Sequence, residues 1–185
     1  MFSRYIDNFD YKSRFRILKG GKISLVVSAL LGSAIIASAA PTEGVVTSGS
    51  ATISQSGNTT NINQSTSKAS INWQNFNVSS NETVNFNQPN TNSITLNRVV
   101  GNEKSVIDGT LNANGQVWIL NSNGILFNST AKVNTSGLVA TTAELSDKDF
   151  QDGNYNFKNS KSNSLVKLQA QRRYLPCDSP WPLKP

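Results

Sequence analysis

The sequence predicts an all-β fold, a parallel β-helix in which short strands wind into stacked coils. Three observations point there. β-Branched and aromatic residues come in short runs, such as SITLNRVV (93–100) and QVWIL (116–120), and Asn, Gly or Ser separates nearly all of them. Apolar runs recur roughly every 20 residues, at Ile71, Ile94, Val117 and Leu138, which is the period of a coil with three short strands. Charge is sparse between residues 41 and 164, so stacked coils would not set like charges on one another. That segment holds 23 Asn and only Pro41 and Pro89. Its strand-and-turn periodicity separates it from a disordered Asn-rich tract. A β-sandwich is the other all-β architecture open to such strands; their shortness and the Asn/Gly turns favour the solenoid.

Taken in order, the chain opens on a basic head. Residues 1–22 carry Arg4, Lys12, Arg14, Arg16, Lys19 and Lys22 against Asp7 and Asp10, which is +4 of the net +6. The sequence pI near 9.6 is a property of this head and makes no case for nucleic acid as a partner. ISLVVSALLGSAII (23–36) follows, about fourteen apolar or small residues where a membrane span needs ~20. Ala37-Ser38-Ala39-Ala40 then supplies an A-x-A site. Together these read as a Sec-type signal peptide over residues 1–39, cut after Ala39 or Ala40, with the Sec translocon as first partner; an uncleaved membrane anchor is the alternative, and the basic region is longer than a minimal signal needs. The exported remainder has no Cys before Cys177, so it does not rely on disulfides.

Residues 40–166 form the expected domain. Residues 44–64 alternate strictly and read as a hairpin turning at Ser56-Gly57-Asn58. This hairpin is expected to cap the solenoid, because an uncovered edge invites aggregation. ASINW (69–73), ETVNF (82–86), SITLNRVV (93–100), SVIDG (105–109), QVWIL (116–120), GILF (124–127), AKVN (131–134) and GLVATT (137–142) then read as strands of successive coils. One coil cannot bury its inward side chains alone; stacking does so for all. Asn suits the corners, since it tolerates the left-handed region, and its amides can pair coil to coil in ladders. In NGQVWILNSNGILF (114–127), Gln116–Leu120 and Ile125–Phe127 are strands on consecutive sides of one coil, with Asn121-Ser122-Asn123-Gly124 as the corner. Trp73, Phe76, Phe86, Trp118 and Phe127 are assigned to the core rather than to a sugar-stacking surface. No stretch beyond residue 40 shows helical periodicity. The acidic run from Asp147 to Gly153 therefore reads as a solvated loop leaving the solenoid; its spacing does not fit a calcium loop and Lys148 interrupts it.

No chemistry emerges from the residues. With no His in the chain and no Cys in 41–164, catalytic triads and His/Cys zinc sites are ruled out. No phosphate-binding loop is present. Glu82, Glu103, Asp108 and the other acids do not occupy matched positions on neighbouring coils, as a glycosidase pair would. The reading assigns no catalytic residue, no cofactor and no metal. Sequons begin at Asn58, Asn63, Asn77, Asn81, Asn128 and Asn134, and a chain this rich in Asn, Ser and Thr meets several by chance. A free-standing secreted β-solenoid that binds surface glycans remains an alternative function.

The ordered motifs INWQNFNV (71–78), ETVNF (82–86), LNRVVG (96–101), IDGTLNANGQVWILNSNGILF (107–127) and AKVNTSGLVATT (131–142) carry a family resemblance. Residues 44–166 closely resemble the N-terminal secretion domain of filamentous haemagglutinin-type exoproteins of the two-partner secretion pathway, in the high-molecular-weight adhesin branch. The resemblance implies a right-handed parallel β-helix with an N-terminal cap behind an extended Sec signal. It implies recognition in the periplasm by an outer-membrane β-barrel transporter bearing POTRA domains, followed by secretion or display at the cell surface. Any host surface ligand would bind to regions downstream of this chain. The family's Asn-Pro-Asn-Gly-Ile turn falls on Asn121, Ser122, Asn123, Gly124 and Ile125, which become the candidate transporter-recognition turn. Ser122 stands where the family has Pro, while Asn123-Gly124 is expected to supply the unusual dihedrals. The family's Asn-Pro-Asn-Leu motif has no clean match near Gln88-Pro89-Asn90.

After Val166 the composition changes. Residues 167–185 hold four of the six Pro and the only Cys, with no Asn or Gly. Pro is hostile to solenoid strands, and the expectation is an out-of-frame tail on a truncated gene product.

Overall fold

The computed structural model describes residues 40–158 and 164–169. The expected signal peptide, Ala39 included, and the tail beyond residue 169 lie outside the described residues. Two strands come first, β1 (Val45–Ser48) and β2 (Ala51–Ser56). The first coil follows as β3 (Thr59–Gln64) and β4 (Lys68–Trp73), and closes at Val78, which bridges in parallel to Ile107. The second coil is β5 (Thr83–Asn87), β6 (Ile94–Val99) and β7 (Ser105–Ile107). The third is β8 (Thr110–Ala113), β9 (Gln116–Leu120) and β10 (Ile125–Phe127). The fourth is β11 (Lys132–Asn134) and β12 (Gly137–Thr141), then an insert containing helix α1 (Asp147–Asp152), then β13 (Val166–Leu168).

The strands stack into three faces of a parallel β-solenoid. The first face runs β2-β3-β5-β8-β11, the second β1-β4-β6-β9-β12 and the third β7-β10-β13. All pairs between coils are parallel, while β1 and β2 pair antiparallel with β4 and β3. The β2–β3 hairpin turns at Gly57 (φ +53°), where the reversal needs a residue without a Cβ. The cap is smaller than residues 44–64, because β3 already pairs in parallel with β5 and is itself the first strand of the solenoid. β1 and β2 alone close the edges of the two faces. β13 runs past the boundary drawn at 166, pairing Val166, Lys167 and Leu168 with Ile125, Leu126 and Phe127.

Period-two alternation sends every second side chain inward. The inward set, with Ile62, Ile71, Trp73, Val84, Phe86, Leu111, Val117, Ile119 and Phe127, forms one continuous core. Several polar side chains of the interior pair with one another, as burial favours. Trp73 Nε1 donates to Asn97 Oδ1 (3.0 Å), and Gln88 Nε2 donates to Thr95 Oγ1 and Gln116 O (both 3.0 Å). The repeat is real but partly out of phase with its sequence markers. Val117 and Leu138 stack in register, whereas Ile71 meets Asn97 and Ile94 meets Lys68 and Gln116. Spacings between stacked partners vary, 20 residues from Ser105 to Ile125 against 27 from Thr83 to Thr110, so a fixed period slips.

Of the two roles expected of Asn, the coil-to-coil amide ladders are present and the left-handed corners are not. Among the described residues the only non-glycine with positive φ is Glu43. On the outward side of the first face Asn85, Asn112 and Asn134 each donate to the Asn one coil below, at 3.0 Å, making a ladder that starts at Asn61. Asn87 donates likewise to Asn63 at 2.8 Å. The ladders lie mid-strand, where in-register stacking brings identical amides together.

The insert corrects the reading of 147–153 as a solvated loop. Glu144 and Lys158 exchange two backbone hydrogen bonds of 2.9 Å and close its neck. Ser146 caps α1, its Oγ accepting from Asp149 N at 3.1 Å, and Gly153 ends it at φ +80°. The three Asp face different partners: Asp147 meets Arg98, Asp149 the cap Ser146, and Asp152 Lys148. Phe150 is completely buried. With Leu145 it covers a second apolar cluster of Ile94, Leu96, Trp118 and Leu120, on the outside of the second face. Trp118 is thus buried as expected, but outside the barrel, edge-on to Phe150 and Tyr155 at centroid distances of 5.7 and 4.8 Å.

Candidate functional site

The corner that joins β9 to β10 is built by one side chain. Asn121 is 1% exposed. Its Oδ1 accepts from Asn123 N at 2.9 Å, and its Nδ2 donates to Glu103 O (3.0 Å) and Ser105 Oγ (2.9 Å). Its backbone N–H donates to Thr141 O (3.1 Å), and its carbonyl accepts from Gly124 N (3.0 Å) to close a β-turn. Gly124 alone supplies the unusual dihedral, φ +106°; Asn123 has an ordinary negative φ, contrary to expectation. A Cβ at Gly124 would also come within 3.0 Å of Leu165 O. Asn123 Nδ2 donates to Gly101 O (2.9 Å), tying the corner to that of the coil below. Ile125 is buried and starts β10. Ser122 and Asn123 are half-buried and are the members of the turn that face out.

They line a cleft of about 590 Å³ between two solenoid corners and the neck of the insert. Arg98, Val100, Asn102, Glu144 and Lys158 line it too. Val100 is 54% exposed there. Arg98 holds the wall together: it donates to Asn72 Oδ1 (2.9 Å), Leu145 O (2.6 Å) and Asp147 Oδ1 (2.9 Å). Burial pushes the Asp147 carboxyl up, but hydrogen bonds from Thr47 and Arg98 and the guanidinium charge outweigh it and hold the group below its ordinary range. The cleft is therefore a balanced, mixed polar and apolar surface, suited to backbone and side-chain docking. Sequence reasoning found Ser122 and Asn123 but missed Arg98, Asn102, Glu144 and Lys158. Arg98 left a trace, as the one charge inside the strand SITLNRVV, and its position in register makes it outward. Of the expected cleavage residues, Ala40 is 4% exposed and precedes Thr42, which bridges to Asn75 at the start of the fold.

The fold and its corners define the class of protein as a capped parallel β-solenoid whose polar turns join coil to coil. Comparison names the family: the TPS secretion domain family matches residues 37–172, and the chain belongs to it. Its members are the secretion domains of two-partner-secreted exoproteins, which cross the Gram-negative outer membrane with a dedicated transporter. The chain is similar to a heme/hemopexin-binding protein of Haemophilus influenzae, 37% identical over 150 residues that cover 78% of this chain and 17% of that protein. A second heme/hemopexin-binding protein of the same species is 36% identical over 107 residues, 57% of this chain and 12% of that protein. The crystal structure of the HMW1 secretion domain from Haemophilus influenzae superposes with a TM-score of 0.63 at 36% identity, covering 69% of this chain and 36% of that one. The chain thus spans less than a fifth of the curated relatives it matches.

Proposed function

We propose that the chain is the export address of a larger adhesin-type exoprotein. It reaches the periplasm through the Sec translocon on residues 1–39, cut at Ala39 or Ala40. There the POTRA domains of an outer-membrane β-barrel transporter dock on the turn Asn121, Ser122, Asn123, Gly124 and Ile125 and the cleft beside it, by strand addition or turn capture. Delivery to the medium or the cell surface follows, with no catalytic step. Binding of a host ligand, heme or hemopexin included, belongs to regions of the exoprotein beyond this chain.

The observation that carries this reading is the turn itself. Asn121, Gly124 and Ile125 are consumed by structure, while Ser122 and Asn123 stay half-open on a cleft rim. Against a glycan-binding solenoid stands the burial of Trp73, Phe76, Phe86, Trp118 and Phe127, all 6% exposed or less. The test is secretion of a Ser122→Lys chain co-expressed with its transporter. This substitution alters the rim and leaves the bonds of Asn121 and Asn123 in place. Secretion is expected to fall about tenfold, the effect of ~1.4 kcal/mol of lost docking, with thermal stability unchanged. Normal secretion of the folded variant removes the turn from the interface. Asn121→Ala is the wrong probe, because it breaks the corner itself.

A further inference from the structure

We infer that residues 144–158 of the insert that follows β12 are a clasp that couples all the coils, so that the solenoid opens as one unit instead of fraying coil by coil. This goes beyond the export reading and does not depend on it.

A solenoid is nearly one-dimensional. Each coil touches only its neighbours, so the end coil is expected to open alone and first. The insert breaks that rule, because it lies along the second face and across the direction of stacking. Lys68 belongs to the first coil, yet its Nζ donates to Phe150 O (2.8 Å) and Gln151 O (3.1 Å), carbonyls of the last turn of α1. A cation at a helix C-terminus is favoured there. The same ammonium lies 5.5 Å from the Phe150 ring centre and 5.1 Å from that of Tyr155. In the second coil Arg98 holds Leu145 O and Asp147, and Ile94 and Leu96 lie in the cluster with Phe150. The third coil contributes Trp118 and Leu120, and Val139 of the fourth packs against the same cluster. One segment thus touches every coil.

The order along the chain gives the clasp its consequence. The Lys68 bonds join residues 82 and 83 positions apart. The first coil gains its hold on the insert only when the chain through Phe150 is present and folded. Once Phe150 is seated, opening the fourth coil means dragging the insert off the other three. A chain emerging from its N-terminus would hold loosely stacked coils until the insert arrives, and a locked domain afterwards.

Native-state hydrogen exchange on the full chain, over a range of low denaturant, tests this. In the unmodified protein the slowest amides of β4 and β12 are expected to exchange through one common opening, with the same denaturant dependence. In Phe150→Ala they are expected to separate, with β12 exchanging at least about tenfold faster than β4. Lys68→Met keeps the aliphatic stem and removes the ammonium, and should separate β4 from β6 and β9 more mildly. If β12 of the unmodified protein already opens by a smaller step than β4, the inference is overturned, whether or not either variant folds. It is also overturned if Phe150→Ala folds and keeps a single opening.

Discussion

The first face of the solenoid turns Asn61, Asn85, Asn112 and Asn134 to solvent in a hydrogen-bonded row. The second face turns out Ile94, Leu96, Trp118 and Leu120 and hides them under the insert. The backbones are alike: parallel, in register and outward at every second residue. What differs is what each face requires of the rest of the chain. An amide ladder satisfies itself, coil upon coil, and needs no cover. An apolar outer face leaves water against Trp and Leu unless a further segment covers it. The bare face is therefore local in its stability, and the covered face ties distant residues together.

The sharpest way to break this contrast is Phe150→Ala. It removes a fully buried ring from the covered face, and should cost about 3–4 kcal/mol, a value set by cavity formation and lost burial. Urea unfolding followed by fluorescence checks it, and a loss below ~1 kcal/mol would mean that the insert is only loosely seated. On the bare face Asn112→Ala removes one donated and one accepted ladder bond at a solvent-facing position. About 1 kcal/mol is expected from the same measurement. A cost as large as that of Phe150→Ala would erase the distinction between the faces.

The smallest effect is electrostatic and belongs to the covered face alone. Asp147 is held below its ordinary value of 3.8 in the folded chain. It therefore stabilises the fold above the unfolded value, and that contribution is lost as pH falls through the depressed folded value. The pair is partly exposed, with side chains 23% and 32% accessible, which keeps the effect small. A melting series from pH 5 down to about pH 2 should show Asp147→Asn losing less stability than the parent chain. Parallel curves would show that the carboxylate contributes nothing to seating the insert.

Much of the architecture was legible because it is local. QVWIL became β9 at the expected residues, and the NSNG corner sits where two strands change face. The helix α1 was missed although its signals were present. Ser146 is three residues before Asp149, and Gly153 follows the last turn. Six residues are too few for a 3.6-residue period to show, so the caps had no pattern to bracket. β8 was missed because TLNA has no β-branched or aromatic apolar residue, only Leu111 between Thr and Asn; stacking between β5 and β11 makes it a strand. Of the candidate site, Ser122 and Asn123 were visible as a turn. The cleft beside them was not, since Arg98, Glu144 and Lys158 meet only after the insert has folded back.

By itself the sequence determined the alternation of strand and turn, the repeating coil, the amide-rich character and the corner at Asn121–Gly124. Each is a property of neighbouring residues: a period of two, a turn dipeptide, a short apolar run between turns. Only the tertiary structure decided which residues stack, that Trp118 lies outside the barrel, and that Lys68 meets Phe150. Those outcomes depend on register between coils of unequal length and on contacts across more than eighty residues. No local pattern records such a contact, because both partners are ordinary where they stand and become a pair only once the coils between them have stacked.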